Sequence, residues 1–175
     1  MTPERIVNLY LVVSGLCVVS LAQAAGLEDL PKRKPGLWEM SVVSANGKQA
    51  PVTSRVCIDA ATDAALTSFA VGVTTQICSK RDIHVSGSVA TIDAVCKIGD
   101  SVQTSHSTIT FSGTTAYRAE ARVHSDPPFM GRSDSTAAQE GKWTGPCPPD
   151  MRPGDLVMGN GMKINIQDMA RGKAP

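Results

Sequence analysis

Cys57, Cys78, Cys96 and Cys147, with His84, His106 and His124, are the side chains of this 175-residue sequence best suited to chemistry. The cysteines include no C-x-x-C redox pair, and none has a histidine at a zinc-finger spacing. The histidines lie far apart, each in a strand-like stretch, and no H-x-H or H-E-x-x-H pattern puts two ligands on one face. Serine and aspartate are plentiful, but no G-x-S-x-G elbow poises a nucleophile. Glycine-rich phosphate loops of the Walker or dinucleotide type are absent as well. The reading is a non-enzyme with no catalytic residue, no metal ligands and no cofactor. Chemistry left to the cysteines is crosslinking.

Two further groups have a chemical and a packing interpretation. Met151, Met158, Met162 and Met169 are soft thioethers of the kind that hold Cu(I), yet only Cys147 lies near them among potential partners. Packing of an irregular tail explains them better. Trp38 and Trp143 are the largest apolar side chains and fall near opposite ends of the β-rich region. As core residues they close the sheet where its first and last strands approach. As ligand-binding residues they line a cavity for a hydrophobic small molecule in a curved sheet.

Location is easier to read than activity. Arg5 precedes a nearly unbroken apolar run, Ile6 to Leu21, and Ala22-Gln23-Ala24 follows as a small-residue cleavage site. The run is short for a membrane span, which takes about 20 apolar residues. Cleavage after Ala24 removes Cys17 and delivers an even set of cysteines to an oxidising compartment, here the periplasm. With 17 basic and 16 acidic residues the chain has no electrostatic footprint for nucleic acid. Lys32, Arg33 and Lys34 form its one basic cluster, which reads as a solvated linker.

These residues must be held by a mainly β domain. Leu37 to Ser44 and Val52 to Ile58 flank the turn-forming Asn46-Gly47 as a first antiparallel pair. Asp59 is placed to N-cap a helix over Ala60 to Phe69, which Gly72 ends. Strands then recur as a meander over Ile77 to Val85, Val89 to Ile98, Val102 to Phe111, Thr115 to His124 and Arg132 to Trp143. Gly87, Gly99-Asp100 and Ser112-Gly113 are the turns, and Asp126-Pro127-Pro128 breaks the fourth strand from the fifth. After Trp143 the prolines and glycines exclude a central strand, so the tail either wraps the sheet or is partly disordered. Within it, Lys163 to Arg171 is a helix or strand candidate. Large apolar residues are few; the mature aromatics are Trp38, Phe69, Phe111, Tyr117, Phe129 and Trp143. A thin core makes covalent staples important.

Four cysteines allow three pairings. A Ser86-Gly87-Ser88 loop sets Val85 against Val89 and Cys78 opposite Cys96, leaving Cys57 to Cys147. Aligning Ile83 with Ile92 and Val85 with Ala90 instead shifts the register by one residue, which a β-bulge would reconcile with the same disulfide.

Three landmarks carry a family resemblance: Lys34-Pro35-Gly36-Leu37-Trp38-Glu39-Met40, Arg55-Val56-Cys57-Ile58-Asp59 and Gly141-Lys142-Trp143-Thr144-Gly145-Pro146-Cys147. They resemble the bacterial exported family known as domain of unknown function 3617, with its P-G-L-W-E start, a cysteine on the next strand, a hairpin flanked by two cysteines and a closing cysteine. The resemblance implies a small, mostly β, disulfide-stapled envelope protein, and it implies no catalytic residue.

The expected organisation is a signal peptide over 1–24, a linker over 25–34, a β domain over 35–147 and a Pro/Gly/Met-containing tail over 148–175. The β domain is expected to be a single antiparallel, strongly curved sheet or open barrel with one short helix. Its expected role is that of a periplasmic accessory or binding protein for a hydrophobic small molecule. The alternative is an envelope structural module that meets another envelope protein, with no stable membrane span after cleavage; an unrecognised enzyme is the remaining reading. Terminal sequencing of exported protein should find Ala25, or a residue within about two of it, at the mature N-terminus. Membrane-bound protein beginning at Met1 would contradict this expectation.

Overall fold

A computed structural model of the chain describes residues 29–44 and 51–171. The expected signal sequence, with Ala24 and Cys17, and the expected Asn46-Gly47 turn lie outside the described residues. Strands β1 (Gly36–Ser44) and β2 (Val52–Ile58) are followed by helix α1 (Ala60–Ile77). The meander comprises β3 (Cys78–Ser86), β4 (Val89–Ile98), β5 (Ser101–Ser112), β6 (Ala116–Phe129) and β7 (Arg132–Gly145). Two short strands, β8 (Asp155–Met158) and β9 (Lys163–Asn165), and helix α2 (Ile166–Ala170) complete the order. All strands join one nine-stranded sheet in the order β3-β4-β5-β6-β7-β1-β2-β8-β9, every pairing is antiparallel, and the sheet does not close into a barrel.

Residues directly opposite across a strand pair share a face, so the registers sort the side chains into two surfaces. One surface carries Trp38 opposite both Val56 and Trp143, then Gly141 opposite Tyr117, Tyr117 opposite Phe111, and Ile109 between Ala119 and Ala90. The other carries Asp93, His106 and Arg122 in one row, and Thr104, His124 and Asp134 in the next. This division is the alternation required of a sheet with one wet face. The core sits on the apolar surface, where Trp38, Val56 and Ile58 are buried and Met40, Tyr117, Trp143, Leu156 and Ile166 pack around them.

α1 covers that surface. As expected, Asp59 caps it: its Oδ1 accepts the Thr62 N–H at 2.7 Å, and this hydrogen bonding holds its carboxyl below the usual range. The helix does not stop at Gly72 but runs 18 residues to Ile77. Its span explains the difference. It leads from β2 to β3, six places apart in the sheet, or about 29 Å at the usual strand spacing. A ten-residue helix reaches only about 15 Å, whereas 18 residues reach about 27 Å. An interior glycine costs about 1 kcal/mol relative to alanine without removing a hydrogen bond, so the tertiary connection prevails. At the far end Arg81 Nη1 donates to Thr74 Oγ1 at 2.7 Å and Thr75 Oγ1 at 3.1 Å, tying the last turns to the strand that follows.

One other expectation is corrected. β6 continues through Asp126-Pro127-Pro128 to Phe129 instead of ending at His124. The prolines fall in an irregularity between His124 and Phe129 where β7 pairs with neither, so their missing N–H groups interrupt no ladder bond. Ser101 Oγ holds the bend by donating to the Pro127 carbonyl at 2.8 Å. In the tail, β8 adds to β2 and β9 to β8, extending the sheet beyond its second strand. Asp155 anchors this extension, accepting from Asn165 Nδ2 at 2.8 Å and pairing with Lys163 Nζ at 3.0 Å. Burial works to raise its pKa, but the hydrogen bonds from Asn165, Arg152 and Lys163 outweigh that and hold the carboxyl below its ordinary value.

Both expected disulfides are present, Cys57 with Cys147 and Cys78 with Cys96. The hairpin register is the shifted one: Val85 faces Ala90, Ile83 faces Ile92, and an irregularity between Cys78 and Lys80 restores Cys78 to Cys96. A two-residue Gly87-Ser88 turn, with Gly87 at a φ of 58°, replaces the three-residue loop.

The bonds close intervals of 90 and 18 residues. Chain-entropy reasoning assigns them between about 4 and 5 kcal/mol and about 3 kcal/mol respectively. Urea unfolding should therefore show a greater loss on replacing Cys57 and Cys147 by serine than on replacing Cys78 and Cys96. A smaller loss for the first pair would contradict the importance assigned to the long closure.

Candidate functional site

The segment before β1 is not a free linker. Lys34 N donates to the Thr114 carbonyl at 2.8 Å, while the Lys34 and Pro35 carbonyls accept the indole N–H groups of Trp38 and Trp143, each at 2.9 Å. The Lys34 ammonium lies 3.7 Å from the Trp143 ring centroid, in cation–π contact. Held at these points, the segment runs beside α1 and over the apolar surface of β5 and β6. Gly36 is required at its end: with φ at 134°, an added Cβ would sit 2.3 Å from the Gly145 carbonyl oxygen.

Between the segment, α1 and the sheet lies a cavity of about 160 Å³. Leu30, Pro31, Lys32 and Arg33 line it from the segment, Asp63 and Thr67 from α1, and Ile109, Phe111 and Tyr117 from the sheet. Its polar feature is an ion pair. Arg33 Nε donates to Asp63 Oδ1 at 2.6 Å, and the Arg33 main-chain N–H reaches Oδ2 at 3.3 Å. Their side chains are 19% and 10% exposed, so this cation is engaged at the edge of the core, unlike the solvated charge expected for it. The Tyr117 ring forms another wall, with ring centroids 6.2 Å from Phe111 and 6.0 Å from Trp38. Its hydroxyl accepts from Gln139 Nε2 at 3.2 Å; burial raises the pKa of the phenol, and the nearby charge of Arg33 acts in the opposite direction.

Trp38 and Trp143 come together as register partners on neighbouring strands. Trp38 lies in the core behind Tyr117, only 1% exposed, and Trp143 lies under Lys34. The cavity is lined by other residues. Ile109, Phe111 and Tyr117 share one face through the period-two alternation of β5 and β6, a signal visible in sequence. The partnership of Arg33 with Asp63, 30 residues on, had no local signal.

The remaining chemistry-bearing side chains lie elsewhere. His106 Nδ1 meets Asp93 Oδ1, and His124 Nδ1 meets Asp134 Oδ1, each at 2.8 Å on the wet face. Met151 is buried, whereas Met162 and Met169 are about half exposed. Among the described residues, no three His, Cys, Asp or Glu side chains gather as a metal site. Likewise, no described helix is long and apolar enough to cross a membrane.

The sequence profile of a family described as protein of unknown function (DUF3617) matches residues 33–147. That span takes in Arg33, Asp63, the three sheet residues of the cavity and all four disulfide cysteines. No curated protein and no solved structure matches the chain.

The position of the Tyr117 ring depends on Gly141 opposite it, where an added Cβ would lie 2.1 Å from Tyr117 Cε1. Gly141→Ala should therefore displace the ring and cost about 1 to 3 kcal/mol of stability, as overpacking does. Thermal unfolding and the aromatic NMR resonances of Tyr117 report the two effects. An unshifted ring and unchanged midpoint would show that the wall yields more easily than its contacts imply.

Proposed function

The chain belongs to the DUF3617 family, and on that basis we propose a non-enzymatic, exported binding protein of the bacterial envelope that holds a hydrophobic small molecule against its sheet. The observation that carries this reading is the cavity between the N-terminal segment, α1 and the sheet, walled by Leu30, Pro31, Ile109, Phe111 and Tyr117. Concave, mostly apolar sites with a few placed polar groups are the usual form of small-molecule sites. Its volume of about 160 Å³ is ring-sized: a protein cavity of about 150 Å³ lined by aliphatic and aromatic side chains is enough to take benzene. Export is supported by the N-terminal apolar run and by two disulfides, which persist in oxidising compartments.

The second reading, an envelope interaction module without a ligand, draws support from the β6–β7 turn. There Phe129 is 40% exposed and Met130 87% exposed. Surface apolar side chains gathered at one place favour contact with a partner. They lie outside the cavity lining, so the two readings make separable demands on the molecule.

Ligand-observed NMR with toluene, a neutral ring-sized probe, distinguishes them. Saturation should pass from the protein to toluene, and Ile109→Trp, which places bulk in the cavity, should abolish the transfer while the protein remains folded. Absence of transfer to the unaltered protein, or equal transfer in the filled variant, would leave the interaction module as the better reading.

A further inference from the structure

We infer a second ligand site, at the β6–β7 turn, that takes a single-chain carboxylate amphiphile, with the chain against Val123, Phe129 and Met130 and the carboxylate at Arg132. It is separate from the ring-sized cavity and does not depend on it.

Space supplies the first argument. A groove of about 490 Å³ opens at the turn, and these four residues line it together with Gln103 and Ser125. Small-molecule sites usually occupy about 300 to 1,000 Å³, so the groove has room for a chain where the first cavity has room for one ring. Strand alternation puts Gln103, Val123 and Ser125 on the surface that carries Tyr117. Val123 lies about 20 Å along β6 from Tyr117 at the usual rise per residue, so the two sites share a surface but no lining residue.

Charge supplies the second. Arg132 is the one ionisable side chain in the lining, and among the described residues no carboxylate pairs with it. Asp134, next on the same face of β7, is engaged by His124 at 2.8 Å, and Asp126 lies opposite Val102, outside the lining. The groove therefore sets one uncompensated guanidinium beside apolar side chains. Its planar fork of donors matches the two oxygens of a carboxylate. A cationic amphiphile would meet like charge, and a neutral one would leave the guanidinium unmatched.

The backbone supplies the third. Phe129 faces Arg132 across the turn, whose two central residues, Met130 and Gly131, have φ of 50° and 78°. Asparagine, aspartate and glycine suit such positions; methionine has no polar group to offset the strain by local hydrogen bonding. Yet Met130 is 87% exposed and adds nothing to the core. A strained residue kept at such a place points to function, and a flexible thioether adapts well to an alkyl chain laid over it.

NMR titration of the mature chain with octanoate, octanol and octylammonium tests the site, read at the Met130 methyl and the Arg132 amide. The three probes share a chain and differ chiefly in charge. Octanoate should give a saturable shift there and bind about fivefold tighter than octanol, the upper range for an exposed ion pair, with octylammonium weakest. High salt should narrow the gap. Arg132→Gln lowers the net charge of the chain by one and should reduce the preference for octanoate below about twofold. Met130→Asn should raise the thermal midpoint, because asparagine suits the positive φ, while weakening octanoate and octanol alike by about threefold. Ile109→Trp, which fills the first cavity, should leave the shifts at the turn unchanged.

Equal affinities for octanoate and octanol, a preference that survives Arg132→Gln, or shifts confined to the residues of the first cavity would overturn the inference. So would a Met130→Asn protein that is more stable and binds octanoate as before. Toluene reports on the first cavity and octanoate on the turn, so failure of either site leaves the result for the other intact. The comparison of probes on the unaltered chain requires no variant to fold.

Discussion

Burial of one indole organises the structure. Trp38 lies between Val56 and Trp143 across two strand pairs and against the Tyr117 ring, while its N–H donates to the Lys34 carbonyl. An indole buries a large apolar area but needs a hydrogen-bond acceptor for its one polar atom. That acceptor is the main chain of the segment before β1. The same burial that forms the core therefore fixes the segment on the sheet, and the second indole repeats the arrangement through Pro35. Arg33 and Asp63 can meet because the chain between Arg33 and Trp38 has no freedom to lie elsewhere.

The disulfides reinforce what this thin core cannot hold alone. Cys57 follows Val56 on β2, and its bond to Cys147 fixes the chain just beyond β7, next to the position where β7 meets β1. The tail then returns, the Gly154 N–H donating to the Cys57 carbonyl at 2.9 Å, and adds its two strands beside β2. Gln167 on α2 completes the circuit by donating to the buried Thr62 of α1 at 2.8 Å. The N-terminal segment, α1 and the tail thus converge around one end of the sheet, which is where both the core and the cavity are found.

What could be read in advance was what is encoded locally. The β4 limits, the turns at Gly87, Gly99 and Gly113, the Asp59 cap and the pairing of Cys78 with Cys96 all follow from residues within one hairpin or one helical turn. Elements set by distance were not legible. The length of α1 depends on how many strands it must cross, a property of sheet order and not of its own sequence. β8, with only four residues, becomes a strand by pairing with what lies beside it, whereas β9 and α2 fall within the Lys163 to Arg171 candidate. At the site, the aromatic face of β5 and β6 was visible in the alternation of residue types. The role of Arg33 was not, because a charge in a three-residue basic run looks solvated until its partner on α1 is in place.

The abundance of small residues, which first reads as a deficit of core, acquires a different meaning beside the cavity. Ala90 and Ala119 flank Ile109 on the apolar surface, and Gly141 lies opposite Tyr117. Larger side chains at these places would fill the sheet's face and bring α1 down onto a solid layer, with more apolar area buried and greater stability. Gly141 instead lets the Tyr117 ring lie flat over the sheet, at a distance no Cβ could tolerate. The ring then forms both the wall of the core toward Trp38 and the wall of the cavity toward Phe111. Stability surrendered in the core is recovered through the two crosslinks, which act largely on the unfolded chain and occupy no space on that face. A disulfide-stapled sheet can in this way keep a cavity beside its hydrophobic centre that a protein held together by packing alone would have to fill.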